Sequence, residues 1–121
     1  MILKNHFSSL RLLFFYLWLQ AIEEKRLFIL DFHDMLLPFI KRMNNLPGRK
    51  AYASRTLFFY SKIGILTPIA IELSLPPTPS SSWNKYVYTH GHDATTHWIW
   101  KLAKAHVCSN DAGIHQLVNH W

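Results

Sequence analysis

Residues 95–121 read TTHWIWKLAKAHVCSNDAGIHQLVNHW, and the reading of this stretch decides the fold. It holds no proline, and Thr95 or Thr96 is expected to cap a helix that runs to the end of the chain. Trp98, Leu102, Ala105, Ala112, Leu117, Val118 and Trp121 place apolar side chains on more than one side of that helix. A helix that is apolar most of the way round is a central one, requiring neighbours on every side. The 94 residues before it hardly supply them.

Six of the eight histidines lie from His90 onward, so the question of chemistry belongs to this end. His90-Gly91-His92-Asp93 resembles the opening of an H-x-H-x-D-H hydrolase motif, but residue 94 is alanine and residue 95 threonine. A polar loop entering the helix is the better reading. His97 and His106 have no partner at a matching interval, as expected of histidines with ordinary hydrogen bonds. His115 and His120 are separated by five residues, a step that turns roughly 140° around a regular α-helix. Zinc proteases space their two ligands by four, which puts both rings on one face. An interval of five aligns two rings only through a wider π-type turn, and such turns cluster at functional sites. The residues alone leave a metal pair and a structural pair both open.

Working backward, residues 51–73 predict a β-hairpin. Tyr52 to Tyr60 and Ile65 to Leu73 are β-compatible, and Gly64 in the intervening Ser61-Lys62-Ile63-Gly64 suits a positive φ. Pro68 argues for an edge or a bulge within the second strand. Leu75-Pro76-Pro77-Thr78-Pro79 and three serines predict a long extended loop before the C-terminal helix. Leu46-Pro47-Gly48-Arg49 is a break. Ahead of it, Asp34 is expected to cap a helix through Leu36, Leu37, Phe39, Ile40 and Met43, with Pro38 in its early turns. Leu27 to Phe32 reads as an extended apolar segment.

Residues 1–20 read differently. Leu10 to Leu19 is almost wholly apolar and follows Lys4, with Arg11 inside the run. It is shorter than the roughly 20 residues that span a bilayer. A secretory signal ending near Gln20-Ala21, a start foreign to the rest of the chain, and a plain buried helix all remain open.

Half of the 121 residues are hydrophobic, 15% are aromatic and only 17% charged, a balance expected of a piece buried within something larger. The net charge of +6 comes in scattered pairs (Lys25-Arg26, Lys41-Arg42, Arg49-Lys50) rather than one stripe. No zinc-finger spacing or RNA-binding aromatic signature accompanies it, so nucleic-acid binding is set aside in favour of solvated faces. The single Cys108 excludes an intramolecular disulfide and a multi-cysteine metal site.

Trp98 to Val107, Asn110-Asp111 and His115 to Trp121 together resemble the central helix of plant lipoxygenases. Leu27 to Asp34, Gly48-Arg49-Lys50 and Pro68 to Pro77 agree with that family in order and spacing. The resemblance covers 21–121 and leaves 1–20 unmatched. Thr89-His90-Gly91-His92-Asp93 is most similar to the plastid type that oxygenates at carbon 13. The resemblance implies an α+β fragment (hairpin, long loop, long C-terminal helix) of a mainly α-helical catalytic domain. It implies non-haem iron, with a polyunsaturated fatty acid such as linoleate or linolenate and dioxygen as substrates. In that chemistry hydrogen leaves the bis-allylic carbon and dioxygen adds to the pentadienyl radical, giving a hydroperoxide. His120 matches an iron ligand, and His115 a supporting residue that does not bind the metal. Gln116 matches a polar link between substrate cavity and metal surroundings, and Trp121 a residue packed beside the ligand. The next ligand histidine is expected five positions after His120, so the 121-residue chain is expected to be truncated and inactive alone. Its alternative role is a non-catalytic product that binds a full-length relative or a membrane surface. Plastid or cytoplasm is the implied location.

Overall fold

The computed structural model describes residues 2–82 and 84–120, with side chains from Leu12 onward. Trp121 and the side chains of Lys4, Leu10 and Arg11 lie outside the described set. Eight elements follow in order: α1 (Ile2–Glu23), β1 (Leu27–Asp31), α2 (His33–Asn44), β2 (Ala53–Tyr60), β3 (Leu66–Ser74), β4 (Lys85–Tyr88), α3 (Ala94–Ile114) and a π-helical turn (His115–Asn119). The strands form one antiparallel sheet in the order β1-β2-β3-β4, so the unit is α+β.

The expected hairpin is present as β2 and β3. Ser61 and Ile65 close its turn, and Gly64 adopts φ +83°. The register slips by one residue, from Leu57↔Ala70 to Phe58↔Pro68, so Pro68 stands at a β-bulge. β4 pairs only with Ile71–Ser74, which leaves Pro68 beyond the reach of a second ladder. Proline is tolerated there because no hydrogen bond is asked of its nitrogen.

The hairpin is half of a larger sheet, which corrects the hairpin–loop–helix outline. The loop ends at Lys85, where Lys-Tyr-Val-Tyr adds to the free edge of β3. Four residues are too few for a periodic signal, and the strand exists because β3 offers unpaired backbone groups.

Paired residues share a sheet face, which places Ser54, Thr56, Ile71, Leu73 and Tyr88 together. On this face Ile71 and Leu73 form the core with Trp100, Ala103 and Val107 of α3, and Leu30, Tyr52 and Tyr88 pack around it. The opposite face carries Arg55 in register between Asp31 and Glu72. Its guanidinium donates to Asp31 Oδ2 at 2.8 Å, to Glu72 Oε1 at 3.1 Å and to Asp34 Oδ1 at 3.3 Å. That bond from Arg55 is the first reason the Asp31 carboxyl sits below its usual range. One side chain thereby ties β1, β2, β3 and the start of α2.

Both expected helix caps are corrected. Asp31, not Asp34, meets the start of α2, its Oδ1 accepting the His33 N–H at 2.8 Å. Asp34 lies in the first turn and turns toward His33 and Arg55. Pro38 is the sixth residue of α2, so the only helical bond it omits is the one to the Asp34 carbonyl. For α3 the cap is Asp93, which accepts from the Thr96 N–H at 3.0 Å and the Thr96 hydroxyl at 2.6 Å. A Cβ at Gly91 would overlap the Thr96 side chain, so glycine is required for this close approach. In both cases several carboxylates or hydroxyls lie near a helix start, and the path of the incoming chain selects one.

Residues 2–23 are helical, but the plain buried-helix reading is corrected. Ala21 is buried and Phe14, Leu17 and Trp18 lie toward Leu27, Phe59 and Ile69, yet Phe14 stays 63% and Leu12 68% exposed. Among the described residues no helix is long and apolar enough to cross a membrane. The helix ends in a Schellman motif: Arg26 N–H bonds Ala21 O at 2.9 Å and Lys25 N–H bonds Ile22 O at 3.0 Å. Lys25 occupies the left-handed position at φ 53°, which glycine adopts without a steric penalty. Lys25→Gly is therefore expected to raise stability by about 0.5–1 kcal/mol, read as a higher urea midpoint at unchanged slope.

Candidate functional site

The site is the C-terminal end of α3, and three contacts upstream set its position. Trp100, Ala103 and Val107 recur at helical spacing and bury one stripe of α3 on the sheet. One turn further, Asn110 is 7% exposed and its amide donates to Tyr52 O at 2.9 Å and Ser54 Oγ at 2.8 Å. Sequence reasoning placed Asn110 within the family motif but missed this buried contact, because nothing local distinguishes it from a solvated polar residue. Its partners lie 58 and 56 positions away.

His106, on the neighbouring side of α3, stacks edge-on against Tyr52 with ring centroids 4.9 Å apart. Burial lowers its pKa from the ordinary 6.5. The folded state thus favours the neutral ring, while the unfolded chain protonates near 6.5. Stability from this group is complete above 6.5 and is lost as pH falls through the lowered folded value. His106→Phe keeps the aromatic contact and removes the proton. Its melting temperature is expected to fall less than wild type's between about pH 7 and about pH 5.

Beyond Ile114 the helix widens. His115–Asn119 form a π-helical turn, the geometry that an interval of five requires. The rings of His115 and His120 come within 6.1 Å, centroid to centroid, at 41° to each other. Both are exposed, as is Gln116. The expectation of one regular helix to the end is corrected, and the two histidines are brought together.

A groove of about 420 Å³ runs beside this turn, between α2 and the end of α3. Met35, Phe39, Met43, Ile114, Leu117 and Val118 give it mostly apolar walls. His115, Gln116 and His120 do not line it. Leu117 at 76% and Phe39 at 58% exposure lie open along it, so the apolar sides of α3 are only partly covered within the chain.

At the other end of α3, His90 lies 6.5 Å from His92 and 5.7 Å from His97, measured between rings. His97 therefore has a histidine neighbour that its spacing did not announce. Among the described residues no group of three His, Cys, Asp or Glu side chains is placed to hold a metal ion, here or at the π-turn.

The lipoxygenase family model matches residues 16–121 and so includes the whole of 21–121. Over 104 residues the chain is 73% identical to "Lipoxygenase 6, chloroplastic" of Arabidopsis thaliana, covering 84% of this chain and 11% of that protein. It is 62% identical over 102 residues to "Lipoxygenase 3, chloroplastic" of the same plant, with the same coverage of each. With "Linoleate 13S-lipoxygenase 3-1, chloroplastic" of Solanum tuberosum the identity is 61% over 102 residues, again 84% and 11%. The chain thus spans about 11% of the length of these relatives. With the match running through the sheet, α3 and the π-turn, this chain belongs to the lipoxygenase family.

Proposed function

We propose that residues 21–121 are part of a lipoxygenase catalytic domain that dioxygenates polyunsaturated fatty acids, linoleate or linolenate, to hydroperoxides that feed oxylipin synthesis. The observation that carries this reading is the π-turn that faces His115 toward His120 at 6.1 Å. In this reading His120 is a ligand of non-haem iron, His115 positions it, Gln116 links it to the substrate cavity, and Trp121 packs beside it. Oxygenation at carbon 13 and a plastid location are supported by the likeness to chloroplastic lipoxygenases, one of them a linoleate 13S-lipoxygenase. The wider mainly helical domain belongs to the same proposal.

Imidazole nitrogens suit iron, but a selective site needs further nitrogen or oxygen donors. The described residues bring two imidazoles together and no third donor, so they do not complete a site. The 121-residue polypeptide is accordingly expected to give no conjugated-diene absorbance from linoleate and ferrous iron above a His120→Ala control. The positive test is exchange of residues 21–121 into the matching segment of a full-length chloroplastic lipoxygenase. Diene formation by that hybrid supports the reading, and an inactive but folded hybrid sinks it.

A second reading is favoured by the exposed apolar side chains of α1 and the groove. In it the polypeptide binds a full-length relative or a membrane surface without turnover. Co-sedimentation with neither the purified relative nor lipid vesicles would remove it.

A further inference from the structure

Between β3 and β4 the described residues, 75–82 and 84, form a pinned loop. Leu75 N–H bonds Asn84 O at 2.8 Å, and the Asn84 side chain donates to Pro76 O at 3.0 Å, which closes its base. At its tip Thr78 and Ser81 exchange backbone bonds of 2.9 and 3.1 Å around Pro79. Thr78 is exposed, and its hydroxyl lies 3.2 Å from that of Ser80.

This loop faces α2 across a cavity of about 440 Å³. Thr78 and Ser80 line one side, and Lys41, Asn45 and Lys50 the other. Asn44 holds the chain next to Lys50 with paired bonds to Ala51, 2.6 Å from the N–H and 3.0 Å to the carbonyl. The two lysines are the charged side chains of the lining, and no carboxylate joins them. Lys50 lies over the Tyr52 ring at 5.4 Å, and neither lysine is among the ion pairs of the described residues. Two unpaired ammonium groups beside hydroxyl and amide groups favour an anion with several acceptor oxygens. The loop can carry that anion covalently, because Thr78 is followed by Pro79, the pair that proline-directed protein kinases select.

We propose that Thr78 is a phosphorylation site whose phosphoryl group seats between Lys41 and Lys50, fastening the β3–β4 loop to α2 and the segment that follows it. The Thr78 oxygen attacks the γ-phosphorus of a nucleoside triphosphate held by the kinase. The bond from that phosphorus to the diphosphate leaving group breaks, and the hydroxyl proton passes to the kinase's base. The product carries close to two negative charges at neutral pH and three acceptor oxygens, a match for two lysines and the Asn45 amide. This inference stands apart from the iron reading and uses none of its residues.

The test treats the whole chain with a proline-directed kinase and magnesium ATP, maps the phosphate by mass spectrometry, and titrates it by phosphorus NMR. Incorporation is expected at Thr78 and lost in Thr78→Val. The second phosphate pKa is expected about half a unit to one unit below that of the phosphorylated 74–84 peptide. The Lys41→Ala/Lys50→Ala double variant, with its fold checked by circular dichroism, should return it to the peptide's value. No incorporation at Thr78, or a pKa equal to the peptide's, overturns the proposal. So does inorganic phosphate alone shifting the lysine signals while the kinase leaves Thr78 unmodified, which would make the cavity a seat for free anion.

Discussion

Trp100→Ala is expected to cost about 3–5 kcal/mol, a large share of the roughly 5–15 kcal/mol that holds a folded domain together. Trp100 is 4% exposed and sits among Ile71, Leu73, Ala103 and Val107, the cluster that joins α3 to the sheet. Ala103 and Val107 are fixed on the same helix, and Ile71 and Leu73 are held in register on β3, so the cluster closes only partly over the lost indole. The remaining buried apolar residues, such as Ile40 and Ala53, lie outside it. A cavity left by an indole therefore remains largely open. Urea unfolding monitored by far-ultraviolet circular dichroism checks this, with Trp98→Ala as the comparison. Trp98 is 66% exposed, and its change is expected to stay within about 0.5 kcal/mol. Equal losses for both would mean that α3 is not docked through the Trp100 stripe.

In the exchanged full-length enzyme, His120→Ala is expected to abolish iron retention and diene formation, whereas His115→Ala lowers metal affinity about 10–100-fold. The difference follows from the roles proposed for the pair. A lost ligand removes a bond to the metal, while a lost neighbour loosens the orientation of a ligand that is still present. Iron content by elemental analysis separates the two at fixed protein concentration, and His115→Ala should recover metal when excess ferrous iron is supplied. If the two variants lose iron equally and irreversibly, the division of labour between them is wrong. Circular dichroism must show the helical signal intact in both, because the π-turn is itself part of the arrangement.

Several features were legible in the order of residues because their causes are local. The hairpin was readable from two β-compatible runs around Gly64, whose φ of +83° is one that glycine accepts. Pro68 pointed to an edge or a bulge because a proline nitrogen cannot donate to a ladder, and the register shift makes it a bulge. The five-residue interval between His115 and His120 implied a π-turn if the rings were to meet, and they do. Family membership was legible as well, carried by long contiguous motifs rather than by any single residue.

What the residues did not disclose depends on distant chain. The helix starts are the local exception: Asp31 rather than Asp34 accepts from the first N–H of α2, and Asp93 rather than Thr95 or Thr96 caps α3, choices between neighbouring oxygens set by the direction in which the chain arrives. β4 needed the edge of β3, and His97 gained its neighbour only when the loop folded His90 back toward α3. By itself the sequence determined the hairpin and its irregular second strand, the C-terminal helix, the spacing of the histidine pair and the family. Tertiary structure alone decided that Trp100 rather than Trp98 faces the core, that Asn110 ties α3 to β2, and that Arg55 joins three strands and α2. The physical reason is range: backbone preferences act over a few residues, whereas burial and buried hydrogen bonds join groups separated by tens of residues.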